Sequence, residues 1–159
     1  MIAKLSTAFV IALLTVTPVE VQSPTPTGVW QDASGGVQVE IGPCGELLCG
    51  KIVWFKWPDN DQGLPLLDVK NKDPALRTRP LLGLTILDSL RRTGENTWAD
   101  GKIYNPQDGV SYRADMSIGR DGKLKVRAHQ GLFGKTLIWT RLDAPGGQPS
   151  AQRALGNSG

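Results

Sequence analysis

The sequence is poor in the residues that usually announce chemistry. It has one histidine, two cysteines, two methionines and two tyrosines in 159 residues. The lone His129 cannot build a histidine-based metal site without carboxylate help. A Ser–His–Asp arrangement would have to be assembled around it from Ser111, Ser117 and Asp115, with no nucleophile-elbow sequence to present the serine. His129 is therefore read as a satisfied or surface histidine near a strand end. The two cysteines, Cys44 and Cys49, are spaced C-x4-C and have no second pair, which excludes a four-ligand zinc site. No apolar run reaches the roughly 20 residues needed to cross a bilayer as a helix. Net charge is +3 and the pI is near 9.0, but the lysines and arginines are scattered and Arg91-Arg92 is their only adjacent pair. Without a basic stripe, nucleic-acid binding is not indicated.

Glycine (19) and proline (11), by contrast, are plentiful. That much punctuation disfavours a helix-rich domain and suits short strands joined by turns. Hydrophobic content of 40% argues against wholesale disorder.

The N-terminus reads as a secretory leader. Lys4 gives a basic start, Leu5 to Val16 is almost wholly apolar, and Pro18 ends the run. Residues 1–21 are taken as the signal peptide, with Val19-x-Val21 standing in for an Ala-x-Ala cleavage site, and 22–27 as a Pro/Thr-rich lead-in. The expected destination is the periplasm or the exterior. In such an oxidising place Cys44 and Cys49 are read as a disulfide clamping a hairpin turn, the rival being a redox thiol pair. Residues 28–142 make one domain on size grounds. From Asp143 the chain turns to Gly, Pro, Ser, Gln and Asn, so 143–159 is expected to be a disordered tail.

Within the domain, period-two alternation predicts about eight strands. They are sited at Gly28–Asp32, around Val37/Val39/Ile41, at 51–57, 82–88, 96–104 with a kink at Ala99-Asp100-Gly101, 111–118, 124–128 and 134–141. Asp121-Gly122 is a two-residue hairpin signal. The strand over 51–57 has two apolar faces, Ile52/Trp54 and Val53/Phe55/Trp57, and the pattern alone does not choose between them. Residues 58–80 form the one long irregular connection, with a short helical turn expected at Asp73-Pro74. Connections this long often carry function, for example as a lid. The fold class is all-β: an eight-stranded antiparallel barrel that removes free edges and can hold one small ligand, with a sandwich as the alternative.

Three stretches, with Gly28-Val-Trp30 and the Cys-Gly…Leu-Cys-Gly segment, resemble a known family. They are Leu66-Leu-Asp68-Val-Lys-Asn71-Lys-Asp73-Pro74-Ala-Leu-Arg77-Thr-Arg79-Pro80-Leu-Leu-Gly83-Leu, Trp98-Ala-Asp-Gly101-Lys-Ile103-Tyr104-Asn105-Pro106-Gln-Asp108-Gly109, and Gly134-Lys-Thr136-Leu-Ile-Trp139-Thr-Arg141. Together they look like the bacterial exported family known as domain of unknown function 2147, over about 28–141. The resemblance implies a lipocalin-like fold and no settled activity. Lys72 and Ala128 depart from the family's frequent proline and glycine. Gly28-x-Trp30 with a late Arg141 also resembles the lipocalin pattern, in which Trp30 plugs one barrel end and Arg141 lies over the indole.

No catalytic residue, metal site or cofactor is assigned. Asp59, Asp61, Asp68, Asn71 and Asp73 are oxygen-rich, but twelve-residue loops starting at Asp59 or Asp68 end in Lys70 or Arg79 and not in Glu. These residues are read as turn caps, with Asp68 or Asp73 pairing to Arg77 or Arg79. Candidate ligand-binding residues are Trp54, Trp57, Trp98, Tyr104, Tyr112 and Arg113, with Gly28, Trp30, Arg141, Cys44 and Cys49 structural. The leading expectation is a monomer that binds a small apolar or amphipathic molecule and is not inserted in a membrane. The alternatives are an envelope protein-interaction module with a packed interior, and a hydrolase using the loop carboxylates.

Overall fold

The structure is a computed structural model, and it describes residues 25–131, 133–143 and 145–147. The expected signal peptide and most of the expected tail lie outside the described residues. Eight strands follow one another as an antiparallel meander and close into a barrel. They are β1 (Gly28–Asp32), β2 (Val37–Cys44), β3 (Leu47–Phe55), β4 (Thr85–Arg92), β5 (Thr97–Asn105), β6 (Val110–Ile118), β7 (Leu124–Gln130) and β8 (Phe133–Leu142). β8 pairs back to β1, with Trp30 opposite Arg141, so the sheet has no sandwich edge. No helix among the described residues is long and apolar enough to cross a membrane.

Side chains alternate about the sheet. Val37, Val39 and Ile41 on β2 and Leu124 and Val126 on β7 face in, while Lys125 and Arg127 stay outside. Alternation breaks at three bulges on neighbouring strands. Val39 faces Ile52 but Gln38 faces Trp54, so Val53 is the extra residue on β3. Ser89 on β4 and Asp100 on β5 take left-handed backbone at φ of 58° and 61°. Each bulge lets two residues three apart face in: Ile52 and Phe55, Leu87 and Leu90, Trp98 and Gly101. That explains why both faces of 51–57 read as apolar. Ile52 and Phe55 line the interior on either side of the bulge, and Trp54 goes to the outer wall.

The meander gives the barrel two different ends. At one end are the chain entry, the β2–β3 hairpin, the β4–β5 and β6–β7 turns and the exit from β8. Trp30 is fully buried there. Its Nε1 donates to Pro26 O at 2.7 Å, and the Arg141 guanidinium lies 4.4 Å from the ring centroid. Arg141 also donates to the Thr27 and Thr25 carbonyls, tying the lead-in across the barrel floor. Burial lowers the Arg141 pKa from its ordinary value. Gly28 is required here: its φ is +133°, and a Cβ would stand 2.6 Å from Arg141 Nη1. The Cys44–Cys49 disulfide, with Cα atoms 5.7 Å apart, clamps the β2–β3 hairpin at the same end. Asp88 comes near the two sulfurs, but a disulfide has no thiolate to offer a metal.

The chain past β8 departs from the expected tail at its start. Gly146 N donates to Gln38 Oε1 at 2.7 Å, and Gln38 Nε2 donates to Gly147 O at 3.3 Å. This covers Gln38 on the outer wall and leaves it only 1% exposed. A buried amide needs partners, and the turn at Pro145–Gly147 supplies both of them.

Candidate functional site: a capped barrel mouth

The opposite end carries the β1–β2, β5–β6 and β7–β8 turns and the long β3–β4 connection. Below them lies a cavity of about 640 Å³. Its walls are mainly aliphatic and aromatic: Val39, Ile52 and Phe55 on one side, Ile103 and Tyr112 on another, Leu137 and Trp139 from β8. Leu66 and Leu81 reach it from the long connection, so that segment forms part of the rim as well as a link between strands.

The connection holds its shape through a polar anchor. Asp68 is fully buried, and its carboxylate accepts four contacts. The Tyr104 hydroxyl donates to Oδ1 at 2.6 Å, Asn71 Nδ2 to Oδ2 at 2.8 Å, and Arg79 to Oδ2 through Nε at 2.9 Å and Nη2 at 2.8 Å. The Asp68 N–H donates to Arg79 O, closing the segment on itself. Burial alone would raise the Asp68 pKa, but the hydrogen bonds from Tyr104, Asn71 and Arg79 outweigh it and hold the carboxyl below its ordinary range. Burial and the Asp68 carboxylate together raise the Tyr104 phenol. Asp73 caps the short 3-10 turn at Pro74–Leu76, and Arg77 Nε donates to Asn71 O at 2.7 Å. Of the four Asp–Arg pairings considered from sequence, Asp68–Arg79 is the one that forms an ion pair. Gly109, in the β5–β6 turn, marks where the connection lands. Its φ is +68°, and a Cβ would stand 1.9 Å from Lys70 O. Tyr104 belongs both to this anchor and to the cavity wall, so it joins loop position to cavity shape.

Two carboxylates line the cavity, and both are committed to turns. Asp32 accepts from Gly36 N and Val37 N at 2.9 Å each, and from the backbone N–H and hydroxyl of Ser34. Asp108 accepts from Val110 N at 2.9 Å, Asn105 Nδ2 at 2.9 Å and the Tyr112 hydroxyl at 2.8 Å. Burial pushes the Asp108 pKa up, and these donors bring it below its ordinary value.

Residues 28–141 match the family described as an uncharacterized protein conserved in bacteria, DUF2147. This chain belongs to the DUF2147 family. Among solved structures, the DUF2147 barrel resembles HP1028 from Helicobacter pylori, a protein described as belonging to the lipocalin family. The two are 25% identical with a TM-score of 0.63, over 77% of this chain and 84% of that one. No curated protein matches the sequence.

The structure disperses the candidate ligand residues of this DUF2147 chain. Tyr104 and Tyr112 line the cavity. Trp98 does not; it is buried in the core. Trp54 sits on the outer wall beside Gly146. Trp57 lies beyond the end of β3, 68% exposed, with Lys56 Nζ 4.6 Å from its ring centroid. Arg113 is exposed on the outer wall across from His129. His129 Nε2 is 2.7 Å from Asp115 Oδ2 on that same wall, so the histidine's partner is a carboxylate. Sequence reasoning did not single out Val39, Ile52, Ile103 or Leu137 as cavity residues. Their inward alternation was visible, but an inward aliphatic lines a cavity or fills a core with the same sequence signal.

Proposed function

We propose that this protein is exported and binds a small apolar or amphipathic molecule inside its barrel. The observation that carries the reading is the cavity itself. At about 640 Å³ it falls within the roughly 300–1,000 Å³ of ordinary small-molecule sites, and aliphatic and aromatic side chains make up most of its lining. A barrel packed solid, as a pure interaction module would be, leaves no such space. The leader-like residues 1–21 and the Cys44–Cys49 disulfide support an oxidising compartment, the periplasm or the exterior.

The chemistry of the site favours binding over turnover. Asp32 and Asp108 are held as hydrogen-bonded turn caps, and Asp68 is sealed behind Tyr104, Asn71 and Arg79. A general acid or base needs hydrogen-bond reach to substrate and an available lone pair or proton. These carboxylates point their acceptor capacity at the protein's own donors.

The test is native mass spectrometry of the intact protein, followed by solvent extraction and titration with an apolar fluorescent probe. The reading predicts saturable one-to-one probe binding that organic extraction of a co-purified molecule enhances. A protein that carries no ligand and leaves every apolar probe unbound contradicts it.

A further inference from the structure

The charges around the cavity are not equivalent. Asp32 already accepts four hydrogen bonds and Asp108 three, all from within their own turns and from Tyr112. Lys135 is the third charged lining residue, and among the described residues it has no ion pair. Gln107 and Gln130 also line the cavity, and neither side-chain amide has a partner there. The unengaged polar groups at this rim are therefore rich in donors: an ammonium and two carboxamides.

Lys135 is placed where a head group would sit. It lies on the inward row of β8 with Leu137 and Trp139, all three of which line the cavity. Four residues of strand put the Lys135 backbone about 13 Å above that of Trp139. The closing ladder joins β1 only to Trp139–Leu142, so no β1 backbone stands beside Lys135. The row runs from an apolar floor to a cation at an uncovered stretch of wall.

We propose that the ligand is an amphipathic anion whose apolar chain lies over Leu137 and Trp139 and whose acidic head is held by Lys135, with Gln107 and Gln130 as supporting donors. This rests on the binding reading above and adds the sign of the head group. The carboxylate-bearing class of single-chain amphiphiles meets the description. An ammonium head would find Asp32 and Asp108 already surrounded by donors.

The experiment compares three probes with one chain length and different heads, decanoate, 1-decanol and decylammonium, by displacement of an apolar fluorophore at neutral pH. The intact protein should bind decanoate about tenfold more tightly than decanol, with decylammonium weakest. Lys135→Met should bring the decanoate-to-decanol ratio close to one, and Lys135→Arg should retain most of it. Equal binding of acid and alcohol by the unmodified protein, a preference for the ammonium, or a ratio that survives Lys135→Met overturns the head-group assignment while leaving the binding cavity intact. If none of the three displaces the fluorophore and the fluorophore itself does not bind, both the cavity reading and the assignment fail.

Discussion

Replacing Asp68 by Asn should release the long β3–β4 connection from the barrel mouth. The carboxylate accepts four contacts between 2.6 and 2.9 Å with no solvent exposure of its own. An amide of nearly the same shape keeps one acceptor oxygen, turns two N–H groups toward a cluster of donors, and leaves Arg79 without its counter-charge. Breaking a buried pair from one side costs about 3–5 kcal/mol. The Arg79 side chain is 35% exposed and recovers part of its hydration, so the lower end, about 3 kcal/mol, is expected. At 1.4 kcal/mol per factor of ten, that is roughly a hundredfold increase in local opening. Hydrogen exchange reads it directly through the Asp68 and Leu81 amides, which donate to Arg79 O and Leu66 O. Limited proteolysis within 58–84 should accelerate in parallel. The same substitution tests the pH dependence. The Asp68 pKa is lowered in the folded protein, so its contribution is complete above the ordinary carboxylate pKa of about 3.9 and is lost as pH falls through the lower folded value. The unmodified protein should show an acid limb in mouth stability that Asp68→Asn lacks. Exchange within about threefold of the unmodified protein, with an unchanged acid limb, would refute the anchor.

Other substitutions separate the two ends of the barrel. Arg141→Lys keeps the charge but loses the planar stack on Trp30 and the forked donation to the lead-in, so thermal unfolding should show a loss of about 1–2 kcal/mol. Replacing Cys44 and Cys49 by Ser opens a short loop and should lower stability by about 2 kcal/mol in denaturant titration, with probe affinity unchanged because the disulfide lies at the far end. Gly109→Ala forces a Cβ onto the Lys70 carbonyl at a left-handed φ, so it should loosen the connection much as Asp68→Asn does, read by the same loop amides.

The barrel was legible because its signals are local. Val37/Val39/Ile41 and Leu124/Val126 alternate cleanly, and Asp121-Gly122 marks its own hairpin. Gly28, Trp30 and Arg141 also meet at one end as the pattern suggested. The strand over 51–57 was ambiguous for a physical reason: the bulge at Val53 reverses the inward face halfway along, and an unbroken period-two template cannot describe it. The strand expected over 82–88 runs instead over Thr85–Arg92, because Ser89 bulges and carries Leu90 back into the core. The site was less legible. Aromatic size marked Trp54, Trp57 and Trp98 as ligand contacts, yet whether a ring faces a cavity, the core or water depends on strand register and on what lies across the barrel. The Asp68 cluster joins residues 33 to 36 positions apart in the chain through Tyr104. Only the fold brings them together. The motif around Asp68 and Arg79 was visible as charge, and its role as an anchor at the cavity rim was not.

The proposed function stands or falls with the cavity. Ala128 lines it from β7, with a small side chain directed at the apolar space. Titration of an apolar fluorophore into the unmodified protein and into Ala128→Trp shows whether the cavity is where ligand goes, with thermal unfolding confirming that both are folded. Saturable binding to the unmodified barrel that is lost when the indole fills the cavity is the predicted result. Equal binding by both proteins, or binding by neither, contradicts it.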